Sequence, residues 1–311
     1  MLNLVQTTLE LGLISSLTVL ALFLSYTMLN VCDLSTDGCF TLGAAVGAMV
    51  ALSGHPFLSI IAAMCAGMIS GLTVSILQTK MGIDSLLSGI IVNTGLYSIN
   101  IAIMKNSSLV NLNKVETVFT MLKNKLAGTF LADWYRLIIA LIFVILVITF
   151  LSFFLRTRLG LAIRATGNNP AMVKASSINP AFTTIVGLCV SNAFTALSGC
   201  LLAQTQKSAN IDIGGGMVTV ALASLLIGNA FMGKGKVTRR AIGAVIGACI
   251  FRLVYTVALR FNMPASMLKL VSSVIVIIAI SGPYLKSRYP MLVRSLELKK
   301  NASKRNGKEE G

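Results

Sequence analysis

The sequence predicts an all-α, polytopic membrane protein, and three observations carry that prediction. Apolar residues make up 55% of the 311 positions and charged residues only 12%, with a mean hydropathy of +0.84. Apolar runs of roughly 17 to 23 residues recur along the chain, the length at which a helix crosses the hydrocarbon of a bilayer. Lys and Arg fall between and after those runs, where they meet headgroups and cytoplasm. The net charge of +16 therefore reads as membrane topology, and nucleic-acid binding is a poor reading of it.

Taken in order, spans are expected at about 9–30, 38–54, 57–79, 85–104, 136–155, 181–203, 216–232, 241–259 and 267–285. The first run has no basic residue ahead of it and carries Glu10, so it is expected to persist as a membrane helix and not to be cleaved as a signal peptide. The runs at 38–54 and 216–232 are short and Gly-rich; each is either a full span or a broken, half-depth helix. The total is about nine spans, in a range of eight to ten. Between the fourth and fifth, residues 105–135 place Val115, Val118, Phe119, Leu122 and Leu126 on one helical face with lysines elsewhere. That pattern predicts an amphipathic helix on the outer surface. Residues 1–285 thus read as one transmembrane domain, followed by a basic tail over 286–311.

Orientation follows from the basic residues. Starting outside, the cytoplasmic side receives 17 of the 26 Lys and Arg, the outside eight, and Arg252 is left within a span. The bias favours an outer N-terminus and a cytoplasmic tail. A repeat is also expected. GCFTLGAAVGAMVALSG (38–54) and the run after it echo GGMVTVALASLLIG (215–228) and the run after that. In this topology the two copies point in opposite directions, as in inverted-repeat transporters. The pairs Gly43 and Gly47, Gly67 and Gly71, and Gly243 and Gly247 have the GxxxG spacing that lets membrane helices approach closely.

Little in the chain suggests chemistry. GNAFMGKG (228–235) has Gly228, Gly233 and Lys234 at the spacing of a phosphate-binding loop. Gly235 nevertheless replaces the Mg²⁺-binding hydroxyl, and the flanks are membrane helices. His55 is the one histidine, no HExxH occurs and no CxxC pairs the six cysteines, so neither a metal site nor a nucleophile–base couple is expected. The cysteines read as reduced packing residues. Candidate path residues are polar groups within spans: Arg252, Asn93, Asn192 and Asn229. Arg252 would lie near the midplane, facing the bundle interior, a wet path or a partner such as a carboxylate, or else would snorkel to an interface.

One basic segment stands apart: RTRLGLAIRATGNNPAMVKASSINP, residues 156–180, has four basic and no acidic residues. Gly160 is expected to open a short helix, Leu161 to Thr166, with Gly167 as its C-cap. Asn169 has N-cap chemistry and Pro170 suits the first turn of a second helix, Ala171 to Ser176, which Asn179 and Pro180 end. Helices of about 9 to 11 Å cannot cross a membrane; a punctuated pair on the cytoplasmic side is suited to docking in a partner's groove.

The phrase RLGLAIRATGNNPAMVKASSINPA resembles the cytoplasmic coupling loop of permease subunits in binding-protein-dependent ABC importers of the branched-chain amino acid and ribose type. DLSTDGCFTLGAAVGA (33–48) is similar to that family's second membrane segment, and residues 213–248 to its Gly-rich C-terminal region. Within the family the likeness is to a bacterial subgroup with poorly assigned substrates, some linked to aromatic amino acids. One departure is that the family's usual GGN reads Thr166, Gly167, Asn168 here. The resemblance implies a non-enzymatic permease in the bacterial inner membrane, a homodimer around a central path. It implies an extracytoplasmic substrate-binding protein above and two ATPase subunits below, which hold the ATP and Mg; no cofactor is expected on this chain. It assigns coupling to Gly160, Arg164, Ala165, Gly167, Asn169, Pro170, Ala171, Lys174 and Ala175. The rival reading is an ion-coupled secondary transporter. It would need intramembrane carboxylates, whereas Glu10, Asp33, Asp37, Asp84 and Asp133 all fall near expected span ends.

Overall fold

The computed structural model describes residues 2–125, 134–232 and 235–260, with isolated positions between 270 and 281. The ninth expected span and the basic tail therefore lie almost wholly outside the described residues. Those residues form eleven α-helices and one pair of three-residue strands. Six helices are long and apolar enough to cross a membrane: Val5–Met28, Pro56–Thr79, Ser85–Ile103, Tyr135–Phe154, Pro180–Gln206 and Val237–Ala258. Thr36–Leu52 and Met217–Met232 are shorter. The protein is an all-α polytopic membrane protein.

In chain order, α1 (Leu2–Leu22) runs on through a π-helical turn, Phe23–Met28, and is followed by α2 (Thr36–Leu52), α3 (Pro56–Thr79) and α4 (Ser85–Ile103). Then come β1 (Leu109–Asn111), α5 (Val118–Lys125), α6 (Tyr135–Phe154), α7 (Arg158–Asn168), α8 (Pro170–Ala175) and α9 (Pro180–Gln206). Strand β2 (Ser208–Asn210), α10 (Met217–Met232) and α11 (Val237–Arg260) complete the fold. Local chemistry sets many of the boundaries. Asp84, Thr157, Asn169 and Asn179 are N-caps whose side chains accept from the backbone N–H of Leu86, Gly160, Met172 and Ala181. Pro56, Pro170 and Pro180 occupy first-turn positions, where the missing N–H costs nothing.

The core is an antiparallel pair, α1 and α9, both mostly buried. Ser198 Oγ donates to Ile14 O at 2.7 Å and Ser191 Oγ to Ala21 O at 2.8 Å. Helix α3 runs antiparallel to α9, with Gly67 against Asn192 and Gly71 against Leu188. Helix α11 runs antiparallel to α1: Thr8 meets Thr256, Gly12 meets Cys249, and Ser15 meets Arg252. The three GxxxG pairs act in these seams. Gly43 and Gly47 bring α2 onto Ala196 and Cys200 of α9, while Gly243 and Gly247 bring α11 onto Gly228 and Ser224 of α10. At each a Cβ would collide with backbone or side chain of the facing helix, so close approach is what the small residues are for.

The two short helices are the informative ones. Asp33, just ahead of α2, bonds to Asn192, and Cys39 Sγ donates to Asn192 O at 3.3 Å. Asn192 lies about 18 Å along α9 from Pro180, near its middle. Helix α2 therefore begins inside the bundle and runs toward the end where β1 and β2 pair. Helix α10 begins at the same depth, its N-terminus held by Asp37, and runs the other way, toward the end that carries α7. A long helix, a break, a half-depth helix and a second long helix thus occur twice, in opposite senses, and each half packs its last helix on the other half's neighbour or its own. This is inverted-repeat geometry. It also corrects the expectation that Asp33 and Asp37 sit at a membrane surface: both lie in the interior, because α2 starts there.

Three further expectations change. Residues 105–135 are not one outer helix. Leu109–Asn111 pairs antiparallel with Ser208–Asn210, and among the described residues between 105 and 134 only Val118–Lys125 is helical, with Val118 and Phe119 buried. Leu126 lies outside the described residues. In the coupling segment, α7 begins at Arg158 under a Thr157 cap, not at Gly160, and continues through Gly167 to Asn168. It is about 16 Å long. Gly167 is consequently no C-cap. Asn179 and Pro180 open α9 instead of ending the motif.

Candidate coupling surface and translocation path

The 156–180 segment is anchored on one side and bare on the other. Gly160 lies so close to Phe154 O and Leu155 that no Cβ fits, and Gly167 packs its Cα edge on Met28 O and Leu29 in the same way. Ala162, Ile163 and Thr166 are buried, and Thr166 shares a 2.8 Å hydroxyl hydrogen bond with Thr183 of α9. Val173 is the buried anchor of α8. Everything opposite is exposed: Asn169, Pro170, Ala171, Lys174 and Ala175 in α8 and its cap, and the apolar side chains of Leu161 and Met172, both more than half exposed. Ile178 adds to that patch. Arg164 and Ala165 are half-buried at its border, and Arg164 lies within electrostatic reach of Arg240 on α11. The sequence placed two short helices here, but the exposed Leu161, Met172 and Ile178 were not singled out. Their signal was present: apolar residues within a solvent-side basic loop.

The place where α7 docks is also where α1 breaks. After the π-helical turn Asn30 adopts a left-handed φ of 57°, and the chain turns back into the bundle. There Asp33 accepts from Ser35 N at 2.8 Å and from Asn192 Nδ2 at 2.9 Å, so its carboxylate is buried yet paired. Four residues on, Asp37 accepts from Gly216 N at 2.9 Å and Val218 N at 2.8 Å. This carboxylate on the first turn of α2 caps the N-terminus of α10, a long-range version of an N-cap. The Gly214–Gly216 run permits it: Gly214 lies against Asp37 O, leaving no room for a Cβ, and Gly216 has φ 86°.

A cavity of about 410 Å³ opens beside that junction, between α2, α4 and the segment before α10. Asp37, Thr41, Asn93, Tyr97, Asn100 and Asp212 are among its lining residues. Of the four candidate path residues, Asn93 lies here; Asn192 is buried behind it with Asp33. Asn229 is half-buried on α10, away from the cavity. Arg252 faces α1 instead: its Nη2 donates to Ser15 Oγ at 3.4 Å and its guanidinium carbon sits 5.7 Å from the Tyr255 ring centroid. No carboxylate among the described residues bonds to it. Sequence reasoning missed Asn100, although NTGLYSIN (93–100) is the densest polar run in an apolar span.

Comparison with known proteins fits this geometry. Residues 4–280 match the family model described as the branched-chain amino acid transport system permease component. The chain is 32% identical over 267 residues to a tyrosine transport system permease protein of Clostridioides difficile (strain R20291), covering 86% of each chain. It is 30% identical over 285 residues to an uncharacterised protein of Rickettsia prowazekii (strain Madrid E), covering 90% of this chain and 98% of that one. No solved structure matches. The chain belongs to the branched-chain amino acid permease family, as the multi-pass, inner-membrane permease component of an ABC-type transport system.

Proposed function

We propose that this permease imports a small amino acid, of the aromatic class, driven by ATP hydrolysed in a separate subunit. The observation that carries the reading is the α7–α8 surface. It exposes Leu161 and Met172 to a partner while its other face is locked through Gly167 onto the break between α1 and α2. Closure of an ATPase dimer against α8 would push α7 on residues 28–29, and the Asp33–Asn192 pair would carry the motion into α2 and α9. An extracytoplasmic binding protein delivers the solute at the opposite end, and two copies of the chain enclose the path. The aromatic class is taken from the tyrosine permease relative.

The rival reading is a secondary transporter, which needs interior carboxylates. Asp33 and Asp37 are interior, but both accept hydrogen bonds from the chain itself. Proteoliposomes containing the permease, its ATPase and its binding protein should take up labelled L-tyrosine only with internal ATP, and should do so undiminished by a protonophore. Uptake without the ATPase that collapses with the protonophore would establish the rival.

A further inference from the structure

We propose that the cavity between α2, α4 and Gly214–Gly216 is a subsite for the α-ammonium group of the transported amino acid, with Asp212 and Asn100 as its acceptors. The inference rests on the amino acid reading above and assigns a site to it. Half-depth helices that meet N-terminus to N-terminus ordinarily offer free N–H groups to an anion. Here part of that capacity is already used. The N–H groups of Gly216 and Val218 are bound by Asp37, and Ser35 N, at the entry to α2, is bound by Asp33.

What remains in the lining accepts. Asn100 is 1% exposed; its Nδ2 donates to Gly38 O at 3.1 Å, whereas its Oδ1, equally buried, has no partner. A buried amide oxygen left unpaired costs about 1–3 kcal/mol, and the residue that carries this spare acceptor lines the cavity. Asp212 lines the same cavity, is exposed to it, and its carboxylate takes part in no hydrogen bond among the described residues. A carboxylate from the segment before α10 and an amide from α4, with the hydroxyl-bearing Tyr97 and Thr41 in the same lining, match the three donors of a primary ammonium. Thr94, Tyr97 and Ser98 of α4 also line the cavity, so its opening is polar.

The test uses the whole complex in proteoliposomes with the binding protein saturated by L-tyrosine, so that rates report the membrane step. Asp212→Asn, which keeps shape and removes charge at an exposed position, should lower uptake by about tenfold, as expected for a hydrogen bond to a charged group. Asp212→Glu should stay within about threefold of the wild type. Asn100→Leu should reduce uptake comparably, scored per folded complex. Replacing Na⁺ by choline should change nothing. Wild-type rates in Asp212→Asn would overturn the proposal. So would equal losses in Asp212→Asn and Asp212→Glu, which would mean geometry and not charge, and so would uptake that follows Na⁺, which would make the cavity an ion site. Failure of the wild-type complex to carry any of the twenty amino acids would instead remove the functional reading on which the proposal stands.

Discussion

The two half-depth helices are equivalents that are held differently, and the difference shows how motion could enter this molecule. Helix α2 is buried along most of its length, carries its own turn-forming acid in Asp33, and is keyed to α9 through Gly43 and Gly47. Helix α10 enters from three glycines, has no acidic residue in its first turn, and borrows its cap from Asp37 of α2. The first is keyed to α9 along its length; the second packs on α11 through Gly228 and Ser224 and meets α2 chiefly at Asp37. Since α7 packs on residues 28–29, which lead into α2, the proposed coupling predicts that a push there reaches α10 through Asp37.

Substitutions can break this comparison at different strengths. The largest effect is expected from Gly167→Val. Its Cβ would meet Met28 O and Leu29, and overpacking of this kind costs about 1–3 kcal/mol. Insertion should survive while ATP hydrolysis no longer drives uptake; ATPase and transport measured on one preparation give the ratio, and a wild-type ratio would reduce α7 to a connector. Next come the two acids. Asp33→Ala strands the buried Asn192 amide and should lower stability by about 1–3 kcal/mol. Asp37→Ala removes only a cap and should cost about 0.5–2 kcal/mol. Thermal unfolding should rank them in that order while hydrogen exchange in Asp37→Ala rises chiefly at the start of α10. Equal exchange along α2 and α10 would erase the distinction between the two helices. Thr166→Val, which removes the bond to Thr183, should cost about 1 kcal/mol and loosen the seating of α7 with little change in assembly.

Much of this architecture was legible because apolar length and Lys/Arg placement are strong, additive signals. Eight expected spans coincide with helices within a few residues, and the two Gly-rich runs were readable as half-depth candidates. Depth was not legible. An acid at the edge of an apolar run looks the same whether the run starts at the membrane surface or in the middle of the bundle, so Asp33 and Asp37 were placed near span ends. Gly167 was misread for a related reason: a glycine near the end of a helical run serves either a left-handed cap or close packing, and only the position of residues 28–29 decides. Strands of three residues, β1 and β2, carry no periodicity at all. Asn93 and Asn192 were singled out by their polarity within spans, and of the two Asn93 lines the cavity. The value of Asn100 lies in an unpaired oxygen, and that is a property of packing alone.

The proposed function requires α7 and α8 to form the cytoplasmic element that meets the ATPase. Single cysteines on a Cys-free background, one at Asn169 on the exposed cap of α8 and one at Ser107 near β1, test it in intact cells with a membrane-impermeant thiol reagent. Ser107→Cys should react at once, and Asn169→Cys only after permeabilisation, with its labelling suppressed when the ATPase is bound. Labelling of Asn169→Cys in intact cells would place α8 on the outer side of the membrane, where it could not meet the ATPase.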